Sequence, residues 1–269
     1  MIVPKTPEQT ELMAAAGRVL ARCLDLLRGK VRAGVTTVEL DRAAERFIRS
    51  HGGEPAFKGY RGFPASICTS PNSMIVHGIP GGYRLERGDI LSIDVGVELD
   101  GWIADAAVTV PVGRISPVAR RLLDTTSAAL FDAVEQCRPG NHLGDVSHAV
   151  QERVEGDGMA VVRSLVGHGI GRSMHEDPQV PNFGDPGEGD ELVEGTVLAV
   201  EPMVTAGGHS IRMGGDDWAV YSSDGSLAAH FEHTVAITAD GPRILTPWHV
   251  DEEEMARAEA PAEARAETA

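Results

Sequence analysis

Lysine is almost missing from this chain. Of 269 residues only Lys5, Lys30 and Lys58 are lysine, and lysine and arginine together number 24 against 40 aspartates and glutamates. The formal charge is −16. That balance argues against general nucleic-acid binding, which needs a basic face to neutralise phosphates. Cysteine is as scarce. Cys23, Cys68 and Cys137 are odd in number, far apart and never in a CxxC pair, so they build no disulfide framework. Aromatic residues make up only 4% of the chain, which favours a special use for those near a candidate site. No apolar run reaches the length of a membrane span, and Met1-Ile2-Val3-Pro4-Lys5 opens no signal peptide. A cytoplasmic protein without a membrane partner is expected.

What is present is a regular plan, given twice. Thr6-Pro7-Glu8-Gln9 carries a Thr cap, Pro at the first helical position and Gln at the capping-box position. Leu12, Ala16, Val19, Cys23 and Leu27 then mark a helical face. Thr36-Thr37-Val38-Glu39 opens a second helix, and His51-Gly52-Gly53 stops it. Ser116-Pro117 repeats the first start, and Arg138-Pro139-Gly140 echoes Arg32-Ala33-Gly34 at an offset of 106. Leu192 to Glu201 aligns with Leu85 to Asp94 at an offset of 107, placing Glu201 on Asp94. The order predicts one α+β domain over 1–250, built from pseudo-repeats at about 1–112 and 113–246. Two half-sheets would join edge to edge with helices on the outer face. The run 251–269 holds seven acids and two arginines and reads as a solvated, disordered tail.

The stretch Leu91 to Asp105 organises the rest. It alternates like a strand, turns at Asp100-Gly101, and returns from Trp102. Asp94 and Asp105 lie in apolar, β-branched surroundings, where a hairpin brings them opposite each other. Buried carboxylates so close repel unless a cation or proton lies between them. They read as bridging ligands of a metal pair, or else as two solvated strand-edge acids. Three further residues complete a set: His168 among glycines, Glu201 at the end of an apolar strand, and Glu232 in another strand-like run. Each alone has an ordinary structural reading. Together, four carboxylates and one imidazole suit two divalent cations (Mn, Fe, Co or Zn) in a hydrolytic centre better than a structural zinc site.

These stretches, with Asn72 to Pro80, His175-Glu176-Asp177-Pro178 and Glu201-Pro202-Met203-Val204, resemble bacterial-type methionine aminopeptidases of type I over about residues 5–247. The resemblance implies the pita-bread fold, the creatinase/aminopeptidase architecture of two pseudo-twofold halves around a curved antiparallel sheet. It implies removal of the initiator methionine when the second residue is small, by attack of a metal-bridging hydroxide. Asp94, Asp105, His168, Glu201 and Glu232 would be the metal ligands, with Asp105 and Glu232 bridging. Glu201 would shuttle protons, His175 would donate to the oxyanion, and His77 would contact the scissile amide nitrogen. The methionine pocket would be lined by Tyr60, Phe63, Cys68, His77, Met174, His175 and Trp218. Phe57, Phe63, Met174 and His230 depart from commoner family residues. His230 would be an added hydrogen-bond donor behind the ligands. The expected partner is a nascent polypeptide N-terminus, met by a monomer, with transient ribosome contact allowed. Rival readings are a broader dinuclear aminopeptidase or prolidase-like peptidase of the same fold, and a non-catalytic binding module.

Overall fold

The first helix begins where its cap places it. Thr6 Oγ1 accepts from the Gln9 backbone N–H at 3.3 Å, and Gln9 Oε1 accepts from that of Thr6 at 3.0 Å. Helix α1 then runs over Pro7–Lys30 and α2 over Thr37–Ser50. A computed structural model of the chain describes residues 2–249. The acidic run 251–269 lies outside the described residues. The buried stripe of α1 is broader than the expected one and turned by a residue. It holds Met13, Ala16, Leu20, Cys23, Leu24 and Leu27, while Leu12 is 42% exposed. The reason is that α1 packs against both a sheet and α2, so its apolar face is wider than one seam.

The first half continues with strands β1 (Glu54–Pro55), β2 (Ile67–Pro71), β3 (Met74–Val76), β4 (Ile90–Leu99) and β5 (Trp102–Pro111). The β4–β5 turn has Asp100 at φ 52 and Gly101 at φ 75. Both central residues are left-handed, as a two-residue type I′ hairpin requires. The second half opens with α3 (Pro117–Gln136), capped by Ser116, and α4 (Leu143–Gly156). Strands follow: β6 (Ala160–Val161), β7 (Val166–Gly169), β8 (Glu176–Pro181), β9 (Val197–Val200) and β10 (Met203–Thr205). The last are β11 (Ile211–Met213), β12 (Val220–Ser222), β13 (Ala228–His230), β14 (His233–Thr238) and β15 (Gly241–Ile244).

Hydrogen bonds recur between the halves at the offset read in the sequence. Gly34 donates to the Leu85 carbonyl at 2.8 Å, and Gly140 to that of Leu192 at 3.0 Å. Thr37 donates to Tyr83 and Leu143 to Asp190, each at 3.0 Å. In one half-sheet β4 pairs with β1 and β2 on one edge and β5 on the other; the second has the order β15-β14-β9-β7-β8.

A seam between β5 and β14 joins them. Thr234 Oγ1 accepts from the Asp105 N–H at 2.9 Å and donates to the Asp105 carbonyl at 2.7 Å. Glu232 donates its N–H to the Ala107 carbonyl at 2.9 Å. Thr109 Oγ1 closes the same kind of ring on His230, accepting at 2.9 Å and donating at 2.8 Å. One core spans the seam, with Leu20, Leu24, Ile93, Val108, Leu122, Val200 and Val235 in it. Among the described residues no helix is long and apolar enough to cross a membrane.

Candidate metal centre

The candidate ligands come from both halves and converge on one cavity of about 280 Å³. Asp94 sits on β4 and Asp105 on β5. His168 sits on β7, and Glu201 directly follows β9. Glu232 was expected inside a strand. It lies instead in the break between β13 and β14, where its own N–H is tied across the seam to β5. That break lets its side chain leave the pleat and face the cavity. The two aspartates are not directly opposite. Asp94 pairs with Ala107 and Asp105 with Gly96, so the carboxylates are diagonal neighbours on one face.

All five side chains are secluded. Asp94, Asp105, His168 and Glu232 are buried, and the Glu201 side chain is 13% exposed. Asp105, His168 and Glu232 bring ligand atoms within 4.8 Å of one another. His168 Nε2 lies 3.6 Å from Glu201 Oε1. The other ring nitrogen, Nδ1, faces the Gly169 carbonyl at 2.9 Å. A carbonyl can only accept, so Nδ1 carries the proton and Nε2 turns a lone pair into the cavity.

Electrostatics show what the arrangement lacks. Burial pushes Asp94 up to about 7 and Glu201 up to about 8. It drives Asp105 and Glu232 well above the carboxylate range, helped by the neighbouring carboxylates. Burial also lowers His168 and His77 to about 4, and depresses His175. Asp94 Oδ1, Asp105 Oδ1 and Glu232 Oε1 are buried without any hydrogen-bond partner among the described residues. Orphaned carboxylate oxygens at this depth are costly unless a cation meets them. A hard oxygen set with one imidazole lone pair fits divalent metal ions.

His77 and His175 also line the cavity. Tyr60 Oη meets His175 Nδ1 at 2.9 Å, and the rings stack at 5.5 Å. His175 also lies 4.2 Å from His168, ring centre to ring centre. His77 adopts φ 61, a left-handed conformation that turns it out of β3. Beyond the carboxylates the cavity is apolar, lined by Phe57, Phe63, Cys68, Met174 and Trp218. Phe63 packs edge-on against Trp218 at 5.0 Å and against Phe57 at 6.5 Å.

Every candidate ligand, catalytic and pocket residue singled out from the sequence lines this cavity, and His230 lies outside its lining. Several lining residues were not foreseen: Arg61, Val76, Ser164, Leu165, Val166 and Met203. Most adjoin a motif already noted, and the Gly59–Gly62 turn around Arg61 was a usable signal. Gly96 was missed too. A β-carbon there would lie 2.7 Å from Phe57 Cε1 and 2.9 Å from Met174 Cε.

The sequence pattern of metallopeptidase family M24 matches residues 11–239. The chain is 51% identical over 246 residues to the methionine aminopeptidase of Clostridium perfringens, covering 91% of this chain and 99% of that one. It is 48% identical over 246 residues to methionine aminopeptidase 1 of Bacillus subtilis, with 91% and 99% covered. The crystal structure of methionine aminopeptidase from Rickettsia prowazekii superposes with a TM-score of 0.90 at 42% identity, covering 91% of this chain and all of that one. The architecture described above is the pita-bread fold.

Proposed function

The chain belongs to metallopeptidase family M24, and from that premise we propose that it removes the N-terminal methionine from polypeptides whose second residue is small. The observation that carries this reading is the cavity itself. Three buried carboxylates, the largely secluded Glu201 and the Nε2 of His168 gather at one end, and an apolar slot with Phe63, Met174 and Trp218 forms the other. That slot suits an unbranched thioether side chain.

Asp94, Asp105, His168, Glu201 and Glu232 would hold two divalent cations, drawn from Mn, Fe, Co and Zn. When bound, these would polarise the scissile carbonyl and acidify a water at neutral pH. The chain's own groups do the rest. Glu201 takes the proton of the attacking water at its carboxylate and returns it to the leaving amine. Tyr60 donates its hydroxyl to His175 Nδ1, which leaves the His175 proton on Nε2 to meet the developing oxyanion. His77, fixed in its left-handed turn, contacts the scissile amide nitrogen. Tyr60, Phe63, Cys68, Met174 and Trp218 exclude water from the methionine side chain.

This reading makes residues 1–250 one catalytic unit of two pseudo-repeats. The natural substrate is the N-terminus of a nascent polypeptide, met in the cytoplasm by a monomer during transient contact with the ribosome. The test is hydrolysis of Met-Ala-Ser, Leu-Ala-Ser, Met-Lys-Ser and Ala-Pro peptides after loading with Co²⁺ or Mn²⁺. Cleavage confined to Met-Ala-Ser supports the reading. Equal cleavage of the first three indicates a broad aminopeptidase, and cleavage of Ala-Pro alone a prolidase.

A further inference from the structure

One polar side chain at the site has no role in the reaction described above. His230 is 1% exposed, and neither ring nitrogen has a hydrogen-bond partner among the described residues. Its backbone is fixed by Thr109, whose hydroxyl both accepts from its N–H and donates to its carbonyl. Ser92 Oγ meets the same Thr109 hydroxyl at 2.8 Å, which steadies the clamp. The ring therefore has little freedom to seek a partner elsewhere. It faces the ligand set: Nε2 lies 3.6 Å from Glu201 Oε2 and 3.8 Å from Glu232 Oε2.

A buried imidazole with both nitrogens unpaired is destabilising, and an apolar side chain of similar size would avoid the penalty. The geometry points to His230 as a positioning residue: its Nε2–H faces Oε2 of both Glu201 and Glu232 just beyond hydrogen-bond reach, and on metal binding it donates to them and holds both carboxylates in the orientation that binds the metal pair. This rests on the metal-centre reading given above. Two facts favour a donor over a sixth ligand. First, metal binding leaves both carboxyl groups deprotonated, so a lone pair on Nε2 would then point at two carboxylate oxygens and be repelled, whereas a proton there is attracted to both. Second, a ligating histidine is usually anchored through its other ring N–H. His168 has that anchor in the Gly169 carbonyl, and His230 Nδ1 has none. Nothing enforces the ligating tautomer at His230.

The test titrates Co²⁺ into metal-free wild type, His230→Leu and His230→Gln by calorimetry, with the visible absorption of bound Co²⁺ and the metal-free melting temperature recorded alongside. Loss of a partner behind a ligand commonly weakens metal binding by about 10–100-fold. The expectation is that weakening in His230→Leu, with the full cobalt complement still reached at saturation and the coordination spectrum kept. His230→Gln, which retains an N–H donor, should recover most of the affinity. The metal-free melting temperature of His230→Leu should not fall, because the imidazole it removes has no partner in that state. Unchanged affinity in His230→Leu would overturn the proposal. So would one cobalt fewer at saturation, which would make His230 a ligand. A lower metal-free melting temperature with unaltered affinity would also overturn it, by making His230 a plain core residue. If His230→Leu does not fold, His230→Gln decides between the same outcomes through its affinity and spectrum. Wild type that binds no Co²⁺ would instead overturn the metal-centre reading itself.

Discussion

Asp94 and Asp105 lie diagonally across the β4–β5 hairpin, Asp94 opposite Ala107 and Asp105 opposite Gly96. Directly opposed residues bring their β-carbons to about 4.5–5.5 Å, and the diagonal is longer by about one pleat. The two carboxyl groups still reach each other across the diagonal, and Asp94 is one of the groups that raises Asp105. The diagonal also leaves the position facing Asp105 to Gly96, against which Phe57 and Met174 pack too closely for a β-carbon.

Asp105→Asn should separate metal binding from folding. The substitution removes a charge that burial and its neighbours already oppose. It should abolish peptide hydrolysis and lower metal content, yet raise the stability of the metal-free protein by about 1–3 kcal/mol. Metal analysis and urea unfolding in chelator check both parts. A destabilised metal-free mutant would mean that Asp105 supports the fold by a contact of its own.

Stability of the metal-free protein should fall as pH rises above 6.5. Asp94 near 7 and Glu201 near 8 keep protons in the folded state that the unfolded chain, with ordinary values of 3.8 and 4.5, has released. Their contribution is present at low pH and is lost as pH climbs through the folded values. His77 and His168, near 4 against an ordinary 6.5, act in the opposite sense, but only below 6.5. Above it the carboxyls act alone, each at about 1.4 kcal/mol per pH unit while still protonated. Unfolding near pH 6.5 and near pH 8, with and without Co²⁺, tests this. The decline should vanish with metal bound, because the ligands are then already deprotonated.

Lys5→Met should slow turnover from a distance. Lys5 Nζ donates to Glu176 Oε2 at 2.7 Å, and Glu176 Oε1 accepts from the N–H groups of Arg172 and Ser173. The tied loop carries His175. Methionine keeps the length of the side chain and loses the ammonium. A fall of about 10-fold in kcat with little change in KM is expected, as for a misplaced catalytic group. The stability loss should be about 1–3 kcal/mol, below that of a fully buried pair because Glu176 is partly exposed. Unchanged kcat would show that the loop holds itself.

Gly96→Ala should narrow the apolar slot proposed for methionine without touching a candidate ligand. The new methyl would press on Phe57 and on the end of Met174. KM for Met-Ala-Ser should rise about 10-fold, with normal metal content, and a peptide with a shorter first side chain such as norvaline should lose less. An equal loss for both peptides would place the effect outside the slot.

Local features were the most legible in the sequence. The caps at Thr6, Thr36 and Ser116 and the Asp100-Gly101 turn depend on residues a few positions apart, and each folds as its pattern indicates. The candidate ligands were legible by type, since acids in apolar runs need a reason to be there. The diagonal of Asp94 and Asp105 was within reach: a two-residue turn fixes the register, and counting back from it pairs Asp94 with Ala107. The wide face of α1 was not, because the sequence of a helix does not state how many elements it will touch. Nor were the Lys5–Glu176 pair, the space beside Gly96 or the approach of His230 to Glu201. The first two join segments whose meeting depends on the docking of the two halves, and the last depends on how β13 settles beside the end of β9 within the second half.

That docking has a kinetic consequence. The bonds that stitch Thr234 to Asp105 and Thr109 to His230 join residues 129 and 121 positions apart in the chain. Contacts so remote carry a large loop-closure entropy and form late. Asp94 and Asp105 lie on one side of the stitch, with His168, Glu201 and Glu232 on the other. A half-folded chain therefore has only fragments of the donor set, and the full set exists only once the halves have docked. Regain of full metal capacity during refolding should lag the folding of either half, and its rate would time the docking step.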